Sequence, residues 1–190
     1  VAEYIQKDKR YNELENELYD IRNKSYCYNG SATDQAQLIT SISCVAAFND
    51  MIKTASKKYD KNENKDSLID FEQDITYKNQ ISFCSKFLHF HTPNIFFIFD
   101  RFSCDGSRLL CREKARRTAY LKEGNVTIDE KVKSAINTCS QPVKISLNDI
   151  QVEMDNTAKK SLEEYIHHCV RAYQLGCFIV QSLSDSLAFP

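Results

Sequence analysis

The chain has 190 residues, with 25 Lys+Arg against 26 Asp+Glu and a hydrophobic share of 42%. The length fits one domain; the hydrophobic share excludes a disordered chain, and 4 Gly with 3 Pro exclude collagen-like or linker-dominated classes. A net charge of −1 removes bulk attraction to nucleic acid or acidic lipid, though not a local basic patch, and no apolar run approaches the roughly 20 residues of a membrane span.

Tyr4, Tyr11, Leu14, Leu18 and Ile21 recur at helical spacing and predict one amphipathic face, broken at Tyr28-Asn29-Gly30-Ser31. Thr33 is the expected cap of the next helix, with Asp34 in its first turn. That helix buries Leu38, Ile42, Val45 and Ile52 and is expected to dissolve in the polar run Lys57 to Lys65. A third helix is expected from about Asp66, carrying Leu68, Ile69 and Ile75. Residues Ile81 to His91 read ISFCSKFLHFH, with Phe83, Phe87 and Phe90 in one stripe. Thr92-Pro93-Asn94 stops that helix, because proline disfavours helical geometry in the residue before it. Ile95 to Phe99 is then a buried extended segment, and Asp100 stands where a helix N-cap belongs. The helix beyond it carries Leu109, Leu110, Ala115 and Ala119. A short helix around Ile128 to Ile136 and an extended piece at Gln141 to Ile145 come next. The last helix holds its period from Leu162 to Cys177, with Ser161 and Glu164 in a capping-box spacing. The expectation is an all-α compact domain of six to eight helices. It is a single domain over 1–190, open to two lobes flanking a cleft near 82–100.

The 8 Cys form no CxxC pair, and several fall on apolar helical positions, which favours reduced thiols and a cytoplasmic setting. Residues 1–10 are charged from the start, with no signal-peptide pattern, and we read the chain as a near-complete domain with trimmed ends. Histidine pairs 89/91 and 167/168 have spacings that point their rings apart on a helix, so no metal and no cofactor is expected.

Two residues suggest chemistry. Lys86 sits among aromatics, with Ser82, Ser85 and His89 beside it on a helix. The plainer reading is a surface Lys whose stem covers the Phe stripe. The functional reading is a partly desolvated amine able to act as a nucleophile. Asp100 is by the plainer reading a cap. The segment between the two, a helix end, a proline turn and an apolar return, can bring amine and carboxylate into one cleft, an arrangement suited to attack on C1′ of a nucleoside.

Ser82-Phe83-Cys84-Ser85-Lys86-Phe87-Leu88-His89-Phe90, then Pro93, then Ile98-Phe99-Asp100, resembles the core of bacterial proteins with the 8-oxoguanine DNA glycosylase fold, diverged members of the helix–hairpin–helix DNA glycosylase superfamily. The similarity covers about 20 residues closely and the final helix, Tyr165 to Cys177, more weakly. It implies Lys86 as nucleophile and Asp100 as catalytic acid, with Ser82, Ser85, His89 and Phe90 lining the substrate site. It further implies DNA or a nucleoside-type ligand as partner, and an N-glycosylase with or without lyase activity. The superfamily's hairpin contains glycine; here residues 77–82 contain none, so phosphate contacts fall to Lys78, Asn79 or helix-start amides. Arg101 comes directly after the acid. Arg108, Arg112 and Arg116 share a helix face suited to a nucleic-acid backbone, or to plain solvation. The alternative is the same fold with catalysis lost, an accessory module in a bacterial defence or nucleotide-handling system with a protein or nucleotide partner.

Overall fold

The computed structural model describes residues 2–63, 80–110, 143–150 and 156–187. They form α1 (Ala2–Gln6), α2 (Lys9–Ile21), α3 (Ala32–Glu63), α4 (Ile81–His91), a 3-10 turn at Leu147–Asp149 and α5 (Asn156–Leu187); residues 101–110 are helical as well. Among the described residues there is no strand, and no helix is long and apolar enough to cross a membrane. The described residues are all-α, as expected. Five helices have both bounds among the described residues, slightly fewer than the six to eight expected. Two of them are long: α3 and α5 each run for 32 residues.

Local chemistry places the breaks differently from the periodicity in four places. The first apolar face is not one helix, because the Asp8 carboxylate accepts from the Arg10 backbone N–H and caps a fresh start at Lys9. The cap of α3 is Ser31, not Thr33: the Ser31 hydroxyl accepts from the Asp34 backbone N–H at 3.2 Å. The polar run after Lys57 does not end α3, which stays helical to Glu63; Lys, Asp and Glu are tolerable helix formers once a packed helix precedes them. Ser161 and Glu164 lie inside α5, which begins at Asn156, so they are not its cap. The expected helices from Asp66 and around Ile128 to Ile136 lie outside the described residues, as do Ala115 and Ala119.

α3 is the central rod, packed on by α1, α2, α4 and α5. Its Leu38, Ile42 and Val45 meet Ile81, Cys84 and Leu88 of α4, and Leu162, Tyr165, Ile166 and Cys169 of α5, in one core. Among the described residues six cysteines are free thiols; Cys44, Cys84, Cys169 and Cys177 are buried with that core.

Tyr26, Tyr28 and Tyr173 form an aromatic cluster where the α2–α3 connection meets α5, with ring centroids 5.5–5.6 Å apart. Gly176 of α5 faces it: a Cβ there would overlap Cδ1 and Cε1 of the Tyr28 ring. Mid-helix Gly→Ala ordinarily stabilises by up to about 1 kcal/mol. Here Gly176→Ala is expected to destabilise by about 1–3 kcal/mol, because the ring is stacked and must be displaced. Urea unfolding checks the sign; a stabilised variant would show that the ring moves freely.

Candidate functional site

The segment after α4 explains the site. Thr92 closes α4, its N–H donating to the Leu88 carbonyl. Ile95 and Phe96, each 1% exposed, then enter the core, and Phe97 to Phe99 follow half-buried, in neither helix nor strand. A segment outside helix and sheet leaves its carbonyls without backbone partners, and each buried orphan costs about 1–3 kcal/mol. Side chains supply the donors instead. Tyr26 Oη donates to the Ile95 carbonyl at 3.0 Å. His89 Nδ1 donates to that of Phe96 at 2.6 Å, Tyr165 Oη to that of Phe97 at 3.3 Å, and His168 Nε2 to that of Ile98 at 2.8 Å. Four consecutive carbonyls are thus held by the α2–α3 connection, α4 and α5.

The held segment delivers Asp100. The Phe99 N–H donates to the Ser85 hydroxyl at 3.0 Å, tying the segment's end back to α4. Asp100 then caps the 101–110 helix, its Oδ1 accepting from the Ser103 N–H at 2.8 Å while its own N–H donates to the Ser103 hydroxyl at 3.0 Å. The expected cap is therefore present. Its other oxygen, Oδ2, lies 3.3 Å from Lys86 Nζ. The two side chains singled out in the sequence meet, and both are partly open to solvent, 41% for Lys86 and 27% for Asp100. The Ser103 backbone bond first, and Lys86 after it, hold the Asp100 carboxyl below the usual carboxylate range.

The other sequence candidates divide. Ser82 is exposed on α4. Ser85 is fully buried, its hydroxyl donating to the Ser82 carbonyl and accepting from Phe99, so it serves the site by placing Phe99 and Asp100. His89 spends one ring nitrogen on the Phe96 carbonyl. Phe90 is exposed, as are Phe83 and Phe87; the core face of α4 is Ile81, Cys84, Ser85 and Leu88, so the Phe stripe faces outward. Arg101 and Arg108 both approach Asp105, at 3.8 and 3.3 Å. Lys78, Asn79, Arg112 and Arg116 lie outside the described residues.

Three residues of the site carry no legible signal in the sequence: Tyr26, Tyr165 and His168. Their partners are backbone carbonyls, which every residue type has. His168 is 3% exposed, and burial first of all pushes its imidazole below the ordinary histidine value, against the bond to the Ile98 carbonyl and the charge of Asp100, with Arg171 and Arg108 adding to the lowering. A neutral ring that donates through Nε2 leaves Nδ1 as acceptor, 3.5 Å from the Ser107 hydroxyl.

The arrangement can hold an amine and a carboxylate against one bound molecule. Among the described residues no group of three or more His, Cys, Asp or Glu side chains is placed to hold a metal ion. A cavity of about 910 Å³ between α2, α3 and the 3-10 turn, lined by Arg10, Glu13, Glu17, Cys44, Asp50 and Asp149 among others, includes neither Lys86 nor Asp100. It offers no activated nucleophile: burial pushes the Cys44 thiol up to about 12, and Arg10 is committed to Asp8 and Asp50. Comparison of the chain with protein-family models, with curated protein sequences and with solved structures finds no match.

Proposed function

We propose that the protein is a DNA N-glycosylase, with or without lyase activity, acting on a modified base through Lys86 and Asp100. The observation that carries the reading is the 3.3 Å approach of Lys86 Nζ to Asp100 Oδ2 at the protein surface. In this chemistry the Lys86 nitrogen forms a bond to C1′ as the glycosidic C–N bond breaks. The proton lost by Lys86 leaves on the departing base. Asp100, held ionised, stabilises the positive charge that develops on the sugar. The C1′–O4′ bond then breaks as the C1′=N bond forms, O4′ taking a proton from water, and the resulting Schiff base on Lys86 is hydrolysed by water.

Borohydride reduces such a Schiff base to a stable bond. Incubation with an abasic or base-damaged oligonucleotide and borohydride is expected to give a covalent protein–DNA species, abolished in Lys86→Gln. A folded wild type that neither traps nor releases a base from any damaged strand would sink the reading.

A second reading keeps the fold and drops the chemistry, as an accessory module of a bacterial defence or nucleotide-handling system. Two observations favour it: the lack of glycine in residues 77–82, where the superfamily grips a phosphate, and the net charge of −1. Base binding without trapping or base release is its expected signature.

A further inference from the structure

The outer face of α4 is aromatic; Phe87 packs on Phe48 of α3, and Phe83 and Phe90 on either side of it are the more open rings. Phe83 is 52% exposed and Phe90 79%, in a chain that buries Phe96, Tyr165 and Tyr173 almost completely. Relative to Lys86 these two rings stand at i−3 and i+4, the positions that neighbour it on a helix surface. Lys86 is the residue that reaches Asp100. Directly after Asp100 come Arg101, whose side chain is 90% exposed, and Phe102, 88% exposed, with Arg108 two turns further on. Open rings thus flank Lys86 on α4 and follow Asp100 on the next helix, and the three cations there, Lys86, Arg101 and Arg108, face two carboxylates, Asp100 and Asp105, for a local excess of one positive charge.

Leaving large rings in water forgoes about 1.5–3 kcal/mol each relative to burial. An occupant that stacks recovers this, and the net positive charge beside the rings, in exposed ion pairs that cost little to exchange, favours an anionic one. Aromatic faces interleaved with Lys and Arg suit a strand of unpaired nucleotides, since every base has a π-face and its phosphates track the cations. A duplex hides those faces. It would have to be gripped mainly through phosphates, which a net charge of −1 does not favour.

We infer that Phe83 and Phe90, with Lys86, Arg101, Phe102 and Arg108, form a stacking platform for single-stranded nucleic acid. The inference deepens the glycosylase reading by naming its substrate as an unpaired strand, and it rests on that reading only for the chemistry performed on the bound strand.

The chain contains no Trp, so a Phe90→Trp variant carries one reporter at the platform. Fluorescence anisotropy of the full chain with a labelled oligodeoxythymidylate, and with the same strand annealed to its complement, provides the test. The single strand is expected to bind at least about tenfold more tightly than the duplex. Phe83→Leu and Phe90→Leu, which keep apolar area but lose the π-face, are each expected to weaken it by about five- to a hundredfold. Because the three cations must exchange carboxylates for phosphates, the log–log salt slope is expected to be no steeper than about −2. Bound thymine is expected to quench the Trp of Phe90→Trp.

Equal or tighter binding of the duplex overturns the inference. So does a loss under twofold in both Leu variants with unchanged circular dichroism, the outcome for a protein partner that needs only apolar area. Failure of the folded protein to bind the strand overturns it as well. Ring-dependent binding without borohydride trapping or base release leaves the platform standing and removes the catalytic reading; trapping that ignores both rings does the reverse.

Discussion

Asp34→Ala is expected to lower the unfolding free energy by about 3–5 kcal/mol, the largest effect of any single substitution outside the apolar core. Asp34 is 1% exposed, yet it is well satisfied. Its Oδ1 accepts from the Cys27 N–H at 2.9 Å, and its Oδ2 from the Asn29 N–H at 3.3 Å and the Tyr173 hydroxyl at 2.6 Å. The Tyr173 hydroxyl in turn accepts from the Gly30 N–H at 2.9 Å. One carboxylate thus ties the loop before α3 to α5, from the first turn of α3, where a negative charge is favoured. Removing it strands three donors, and hydrogen bonds to charged groups are worth about 1.5–3 kcal/mol each. For a chain of this size the melting temperature is expected to fall by roughly 10 °C. Asp34→Asn keeps one acceptor oxygen and is expected to cost about half as much. Thermal and urea unfolding test this; a loss under about 1 kcal/mol would mean that water replaces the carboxylate at no cost.

The second large effect is on activity, and it separates function from stability. Asp100→Asn keeps the cap, since Asn and Asp are equally good N-caps, and removes the charge opposite Lys86. The exposed ion pair is worth about 1 kcal/mol or less, so stability at pH 7 is expected to fall by no more than that. Turnover, under the proposed glycosylase reading, is expected to fall by about a hundredfold to ten-thousandfold. The pH dependence supplies an independent readout. The folded carboxyl of Asp100 titrates below its ordinary range, so its contribution to stability is present above the unfolded value of roughly 3.9 and is lost as pH falls through the folded one. In Asp100→Asn that part of the acid limb should vanish. A variant with full turnover would exclude Asp100 from the chemistry, and an unchanged acid limb would show that the charge does not support the fold.

The helices themselves were legible because a buried face repeats at 3.6 residues whatever it packs against: Leu38, Ile42 and Val45 in α3, and Leu162, Tyr165, Ile166 and Cys169 in α5, all belong to the core. Boundaries were less so. Asp8, Ser31 and the polar end of α3 turn on single hydrogen bonds and on the packing that precedes them, and periodicity does not register either. The aromatic stripe of α4 shows the same limit. Its spacing was plain, but spacing cannot tell a buried face from an exposed one, and the exposed one is Phe83, Phe87 and Phe90.

By itself the sequence determined an all-α chain, a helix ending at the Thr92-Pro93 turn, and a carboxylate at Asp100 that caps the helix after it. Those features depend on neighbours a few residues away, and local chemistry is written in residue order. Only the tertiary structure decided that Ile95 to Phe99 is held without a sheet, that Tyr26, Tyr165 and His168 do the holding, and that Lys86 meets Asp100 at 3.3 Å. A carbonyl acceptor has no signature in the identity of its residue, and its donors arrive here from helices far apart in the chain.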